Sequence, residues 1–187
     1  MLSLNISIIL FYILERLLEL VVSARNKALL KKDHNLKVLN KNEALQMKIF
    51  HTLWFCMLLI ESTPAKVLTG NMFYLTIALL VGAQALRWSA IFTLGKYWSV
   101  DVYEMHSHAV INSGPYVYMK HPNYLAVILE FLFLPLLLGC PWTLVIGSLM
   151  NLFVLKRRIN MEESALLEQR GDYDKKFAGK GRFGLKI

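Results

Sequence analysis

The sequence predicts an all-α integral membrane protein with about five transmembrane helices, including a short helical hairpin. Three observations predict it. The 187 residues are 56% hydrophobic and only 18% charged, which is too apolar for an ordinary soluble domain. Apolar runs recur at residues 4–14 (continuing to 22), 49–60, 72–86, 125–138 and 142–155. Each is near or below the ~20 residues that span a bilayer, so the charges between the runs decide. Lysine and arginine are absent before Arg16 and then number seven between residues 25 and 48. Only Lys66 separates the second and third runs; three lie from Arg87 to Lys120, none between the fourth and fifth runs, and nine from Lys156 to Lys186. This alternation follows the positive-inside rule with the N-terminus outside and the C-terminus in the cytosol. The net charge of +8 therefore reads as topology. It argues against nucleic acid, which needs basic residues gathered on one face of a folded domain.

The first run lacks a basic leader and carries Glu15, Arg16 and Glu19, so it reads as a retained span and not as a signal peptide. Ionisable groups at membrane depth are costly and normally pair or face a cavity. Glu15 and Glu19 share a helix face with Arg16 beside them, which predicts an ion pair holding helix 1 against its neighbours. Pro64 and Gly70-Asn71 mark the turn after the second run. Cys56 and Cys140 fall inside apolar runs without metal spacing, so they are expected as small apolar packers with no disulfide. The third run closes on Arg87-Trp88, which fits either an interfacial anchor or an anion clamp whose planar fork suits a carboxylate or enolate.

Between Thr93 and Lys120 the pattern changes. Residues 98–103 and 109–111 are β-prone, and Asn112-Ser113-Gly114-Pro115 is turn chemistry, which predicts an extended cytosolic loop. His106-Ser107-His108 has no third ligand at useful spacing, so no metal site is expected. His121-Pro122-Asn123-Tyr124 stands where the loop enters the fourth helix. Pro122 suits a first helical turn, leaving unpaired N–H groups that favour an anionic ligand group. Tyr116 and Tyr118 add ring faces and hydroxyls nearby, and Glu130, seven residues after Asn123, shares its helical stripe.

Gly139-Cys140-Pro141 is a tight turn into the fifth run, whose helix continues past the membrane with Ile159, Leu166 and Leu167 on its apolar side. Gly171 is expected to end it. Arg158 and Glu162 are i,i+4 partners, and the adjacent carboxylates Glu162 and Glu163 suit hydrogen bonds from ribose hydroxyls. With no repeat or low-complexity linker, residues 1–187 read as one domain.

Ser113-Gly114-Pro115-Tyr116, Lys120-His121-Pro122-Asn123-Tyr124, Arg158 with Glu162-Glu163, and Gly171 with Tyr173, in this order, resemble the isoprenylcysteine carboxyl methyltransferase family. The likeness covers residues 87 to 182, so residues 1–86 supply N-terminal helices and 87–187 a catalytic half. It implies an integral membrane methyltransferase that uses S-adenosylmethionine without a Gly-rich dinucleotide loop, and none is present. It also implies a cofactor site from the cytosolic loop and C-terminal helix: His108, Ala109, Val110, Ile111, Tyr116, His121, Pro122, Asn123, Tyr124 and Glu162. Arg87 and Arg158 fall on arginines tied to catalysis or substrate. Two positions depart from the family pattern: Lys120 replaces an arginine, keeping charge but losing the fork, and Ala126 replaces a glycine.

The implied reaction is O-methylation of a carboxylate or acidic hydroxyl on a lipophilic acceptor, isoprenylcysteine-like or alkylpyrone-like, with the active site facing the cytosol. Other readings are a phospholipid amine N-methyltransferase, for which an arginine clamp is counterproductive, an NADPH-dependent sterol reductase, for which the chain is short, and a non-enzymatic membrane scaffold.

Overall fold

The structure is a computed structural model that describes residues 3–33, 37–38, 41–63, 67–104, 111–169 and 173–184. It is helical almost throughout: α1 (Leu4–Asp33), α2 (Lys41–Glu61), α3 (Gly70–Leu94), α4 (Pro122–Leu137), α5 (Ser148–Gln169) and a short α6 (Tyr173–Lys176). Among the described residues the β-prone loop contributes a single antiparallel ladder of two residues per strand. In it β1 (Lys37–Val38) pairs with β2 (Tyr103–Glu104), tying the loop between α1 and α2 to the loop after α3.

What the helices bury identifies their solvent. Along α1 the buried positions are Asn5, Ile9, Tyr12, Glu15, Glu19, Ser23, Asn26 and Leu30, one stripe at steps of three and four. Most of that stripe is polar, whereas the exposed face carries Leu10, Phe11, Leu14, Leu17, Leu18 and Val21. A helix in water has the opposite arrangement; polar inside and apolar outside suits a lipid surround. The pattern repeats on α3, where Thr76 and Arg87 are buried while Leu75, Val81 and Phe92 face out.

Two helical stretches, Asn42–Glu61 and Gly70–Tyr97, are each long and apolar enough to cross a membrane, and Pro122–Leu137 is a shorter apolar helix. Its 16 residues reach only about 24 Å at 1.5 Å per residue, short of a hydrocarbon core of about 30 Å.

The expected hairpin is present. α4 ends in a turn at Leu138 and Gly139, the latter at φ +64°, a conformation that favours glycine. The chain re-enters helix at Pro141 through a π-helical segment, Thr143–Gly147. Glu61, at the end of α2, accepts the Trp142 and Thr143 backbone N–H groups at 2.9 and 2.8 Å. A carboxylate at a helix start satisfies orphan donors and complements the dipole. Gly147 lets the hairpin close on α2: a Cβ there would lie 2.7 Å from the Trp54 ring, which stacks on Phe131 of α4 at 4.1 Å. Cys140 is buried as expected, but Cys56 is exposed on the apolar outside of α2 and so is not a core packer.

Candidate functional site

The buried stripe of α1 gathers charge at one depth. Arg16 donates to Glu19 at 2.7 Å and to Glu130 of α4 at 2.6 Å. Arg87 donates to Glu19 at 3.1 Å, and its Nη2 lies 2.7 Å from Glu130. Gln84 donates to Glu130 at 2.8 Å and the Trp88 indole to Glu15 at 3.2 Å. Two guanidiniums and two carboxylates from α1, α3 and α4, with Gln84, thus form one network, and the Trp88–Glu15 bond lies apart from it. The ion pair expected on α1 extends across three helices, which only folding reveals. Arg87 is 1% exposed, which rules out the interfacial-anchor reading. Its Nε–H has no partner.

A second cluster sits at the start of α4. His121 is the residue before the helix and Pro122 opens it, as the sequence predicts. Tyr124, one turn in, donates to Glu162 of α5. The Arg158 Nε donates to the Tyr124 hydroxyl at 2.6 Å and to Glu162 at 3.2 Å, while its Nη2 donates to the Val100 carbonyl. Arg158 therefore ties α5 to α4 and to the loop after α3. Asn26 of α1 fixes the base of that loop by donating to the carbonyls of Gly95 and Trp98. The Tyr116 turn depends on Gly114, at φ +54°, where a Cβ would collide with the Thr93 hydroxyl.

The tail completes this end. Lys120 and His121 donate their backbone N–H groups to the carbonyls of Gly181 and Arg182 at 3.1 and 2.9 Å. Glu163 receives Arg182 at 2.7 Å and lies 3.0 Å from the His121 Nε2. Burial pushes the Glu163 carboxyl up, but His121 and Arg182 outweigh it and hold the group down at about 2. Burial, and then Glu162, push the Tyr116 hydroxyl up. Lys120 lies over the Tyr173 ring at 5.4 Å, a contact that uses its charge without a fork. Ala126 is fully buried.

Both clusters line one cavity of about 440 Å³, within the ~300–1,000 Å³ of small-molecule sites. Ile13, Leu17, Leu20 and Phe55 line it beside the deep charges Arg16, Glu19 and Arg87, and Asp101, Tyr116, His121, Asn123 and Glu162 line it near the loops and helix ends. Of the residues singled out from sequence, Arg87, Ile111, Tyr116, His121, Asn123, Tyr124, Arg158 and Glu162 meet in this lining. Pro122 is buried at the helix start outside it. His108, Ala109 and Val110, with His106 and Ser107, lie outside the described residues, as does Gly171; α5 is helical to Gln169. Sequence reasoning missed His51 in the lining and Glu163 as the anchor of Arg182. For His51 the signal was a titratable residue inside an apolar run; for Arg182 there was none local.

The fold and cavity together define a helical membrane protein with charged residues arrayed around an amphipathic pocket. The model of the isoprenylcysteine carboxyl methyltransferase (ICMT) family matches residues 76–168, and the chain belongs to this family of membrane methyltransferases. It is 30% identical over 156 residues to the uncharacterized protein YpbQ of Bacillus subtilis, covering 83% of this chain and 92% of that one. An uncharacterized protein of Haemophilus influenzae is 28% identical over 127 residues, 67% of this chain and 74% of the other. The fold is similar to that of the eukaryotic intramembrane Ras methyltransferase ICMT, at TM-score 0.61 and 22% identity over 80% of this chain. The likeness spans only 55% of that larger protein.

Proposed function

We propose that this protein is an S-adenosylmethionine-dependent O-methyltransferase acting on a lipophilic acceptor at the membrane surface. The supporting observation is that one cavity joins a membrane-level part, with apolar walls beside the deep charges, to a polar mouth that retains unpaired hydrogen-bonding groups. Asn123 Oδ1 is buried in its lining without a partner, and among the described residues the Tyr124 and Arg158 bonds to Glu162 both fall on Oε1, leaving Oε2 as an acceptor. An ammonium and two ribose hydroxyls are the donors such a mouth accommodates, so the residues fit the cofactor that the family implies. Asn123, Glu162 and the rings of Tyr116 and Tyr124 would hold it.

When bound, that group supplies a methyl carbon made electrophilic by its sulfonium, so the chain mainly has to align the acceptor oxygen and exclude water. Arg87 and Arg158 perform the alignment. The Arg87 Nε–H is an unsatisfied buried donor, able to meet an oxygen on which negative charge gathers. The Arg158 guanidinium is fixed by Tyr124, Glu162 and Val100, and Ile13, Leu17 and Phe55 accommodate the acceptor's hydrocarbon. In the topology we favour, five helices cross the bilayer with the N-terminus outside, and the mouth opens to the cytosol.

Calorimetry of the purified protein with S-adenosylhomocysteine tests this. Binding is expected, and Glu162→Ala should weaken it about 10- to 100-fold, as for a lost hydrogen bond to a charged group. Labelled donor with a lipid extract should yield methyl esters or ethers. Methylated amines would instead favour a phospholipid N-methyltransferase, and absence of binding would favour a scaffold.

A further inference from the structure

Near its C-terminal end α3 carries Phe92, exposed on the outside of the bundle. One turn later on the same stripe comes Lys96, over the Tyr97 ring, so the apolar surface of the span gives way here to a basic and aromatic rim. The turn Gly114–Val117 packs against this rim: Gly114 sits so close to Thr93 that a Cβ would collide with the Thr93 hydroxyl. Val117 and Tyr118 point outward from the turn, Tyr118 at 65% exposure, and the Tyr118 hydroxyl has no partner among the described residues. The tail adds exposed Phe183, next to the Arg182 carbonyl that holds the His121 amide.

Lys180 and Lys120 bring positive charge to this rim that no carboxylate matches among the described residues. Lys180 donates to the Asn112 side chain and, at 3.1 Å, to the Tyr116 carbonyl, and it lies 4.9 Å from the Phe177 ring; every one of these partners is neutral. Lys120 lies over the Tyr173 ring. The carboxylates of the neighbouring cluster are already engaged, Glu163 by Arg182 and His121 and Glu162 by Tyr124 and Arg158. Water would satisfy the ammoniums but leave Phe92, Val117 and Phe183 exposed, and hydrocarbon would do the reverse. A phospholipid at the headgroup boundary satisfies both, and an anionic one also offsets the unmatched charge.

We propose that this rim is a binding site for an anionic phospholipid. Lys180 and the Tyr118 hydroxyl donate to the headgroup phosphate, Lys120 and Lys96 add positive field, and an acyl chain runs along Phe92. The bound headgroup fastens the tail. Lys180 and Phe183 flank the carbonyls of Gly181 and Arg182 that hold the Lys120 and His121 amides, and Tyr173 and Phe177, earlier in the same tail, line the cavity. The charge of the membrane surface is thereby coupled to closure of the cavity mouth. Free phosphate or an acidic protein would match the ammoniums but not the apolar side chains beside them. The site rests on the membrane-spanning reading of α3 and is independent of methyl transfer.

The full chain in lipid nanodiscs tests this, with Tyr118→Trp as a probe at the rim. Its fluorescence, less the wild-type signal of the native tryptophans, should be quenched more strongly by brominated phosphatidylglycerol than by brominated phosphatidylcholine. The relative affinity should be about 5-fold or more, as one or two lysines beside an anionic headgroup provide. In the same background Lys180→Gln should remove most of that preference and Lys180→Arg should keep it, while Lys31→Gln, in the last turn of α1, should leave it unchanged. Hydrogen exchange at the Lys120 and His121 amides should slow when phosphatidylglycerol replaces phosphatidylcholine, and the slowing should vanish in Lys180→Gln. Equal quenching by the two lipids, or quenching by neither, would overturn the site. So would a loss of preference in Lys31→Gln as large as in Lys180→Gln, which would reduce it to unspecific surface charge. A preference abolished by inorganic phosphate at constant ionic strength would overturn the lipid as occupant.

Discussion

The deep network and the mouth cluster are built from the same side chains, arginine and glutamate, but are held in different ways. At depth, Arg16, Glu19, Arg87 and Glu130 come from three helices and hold one another through side chains alone. At the mouth, Arg158 and His121 divide their bonds between carboxylates and the backbone of loops and tail. Charges with no water to turn to have to be matched within the helix bundle, so the deep set is a structural unit with one donor left over. The mouth set borders the loop after α3 and the tail, where the proposed ligand would meet it. On the proposed function, the same chemistry supports the fold in one place and recognition in the other.

The sharpest way to break this contrast is to unmatch the deep network. Glu130→Ala leaves Arg16 and Arg87 to share Glu19 alone, and removing one partner of a buried pair costs about 3–5 kcal/mol. We expect a large fall in thermal midpoint and yield in mild detergent, with Glu130→Gln intermediate because Gln can still accept from both arginines. A Glu130→Ala protein as stable as the wild type would mean that the deep charges are not a structural unit.

At the mouth the converse is expected. Arg158→Lys keeps the charge but loses the fork that meets Tyr124, Glu162 and Val100 together. Turnover should fall about 10²-fold, as on removal of one oriented donor from a charge-stabilising site, while the melting temperature falls clearly less than in Glu130→Ala. Equal losses of stability in Arg158→Lys and Glu130→Ala would erase the distinction between the two regions.

How much of this was legible in the sequence follows the same division. Helix positions, the hairpin and the helix start at Pro122 depend on local hydropathy and turn chemistry, which lie within a few residues of one another. The His121–Tyr124 and Arg158–Glu162 motifs were visible for the same reason. The partnership of Arg16 with Glu130 was not, because the two are 114 positions apart and each looked like a separate buried charge. The pairing of β1 with β2 was hidden too: Lys37 and Val38 carry no strand signal, and their partner is supplied only when α1 and α3 pack. His51 stood with Thr52 in an apolar run, and only folding places it in the cavity lining.

The tail gives the smallest expected effect and the finest test of the comparison. Glu163 holds Arg182, and with it the residues that cover His121, through groups partly open to solvent. Such pairs contribute about 0.2–1 kcal/mol. Its carboxyl sits at about 2 in the folded protein, below the ~4.3 of an unfolded chain, because His121 and Arg182 face it, with Asn160 bonded to the same arginine. A depressed folded value means that the stabilisation is complete above about pH 4.3 and is lost as the pH falls to about 2. Hydrogen exchange at Lys120 and His121, whose amides bond the tail, should therefore be faster in Glu163→Gln than in wild type at pH 7, and the two should converge toward pH 2. The global melting temperature should be unchanged at neutral pH. A tail amide that exchanges alike in both proteins at pH 7 would show that the strap is held by its backbone bonds, placing it with the deep, self-sufficient half of the molecule instead of with the ligand-facing mouth.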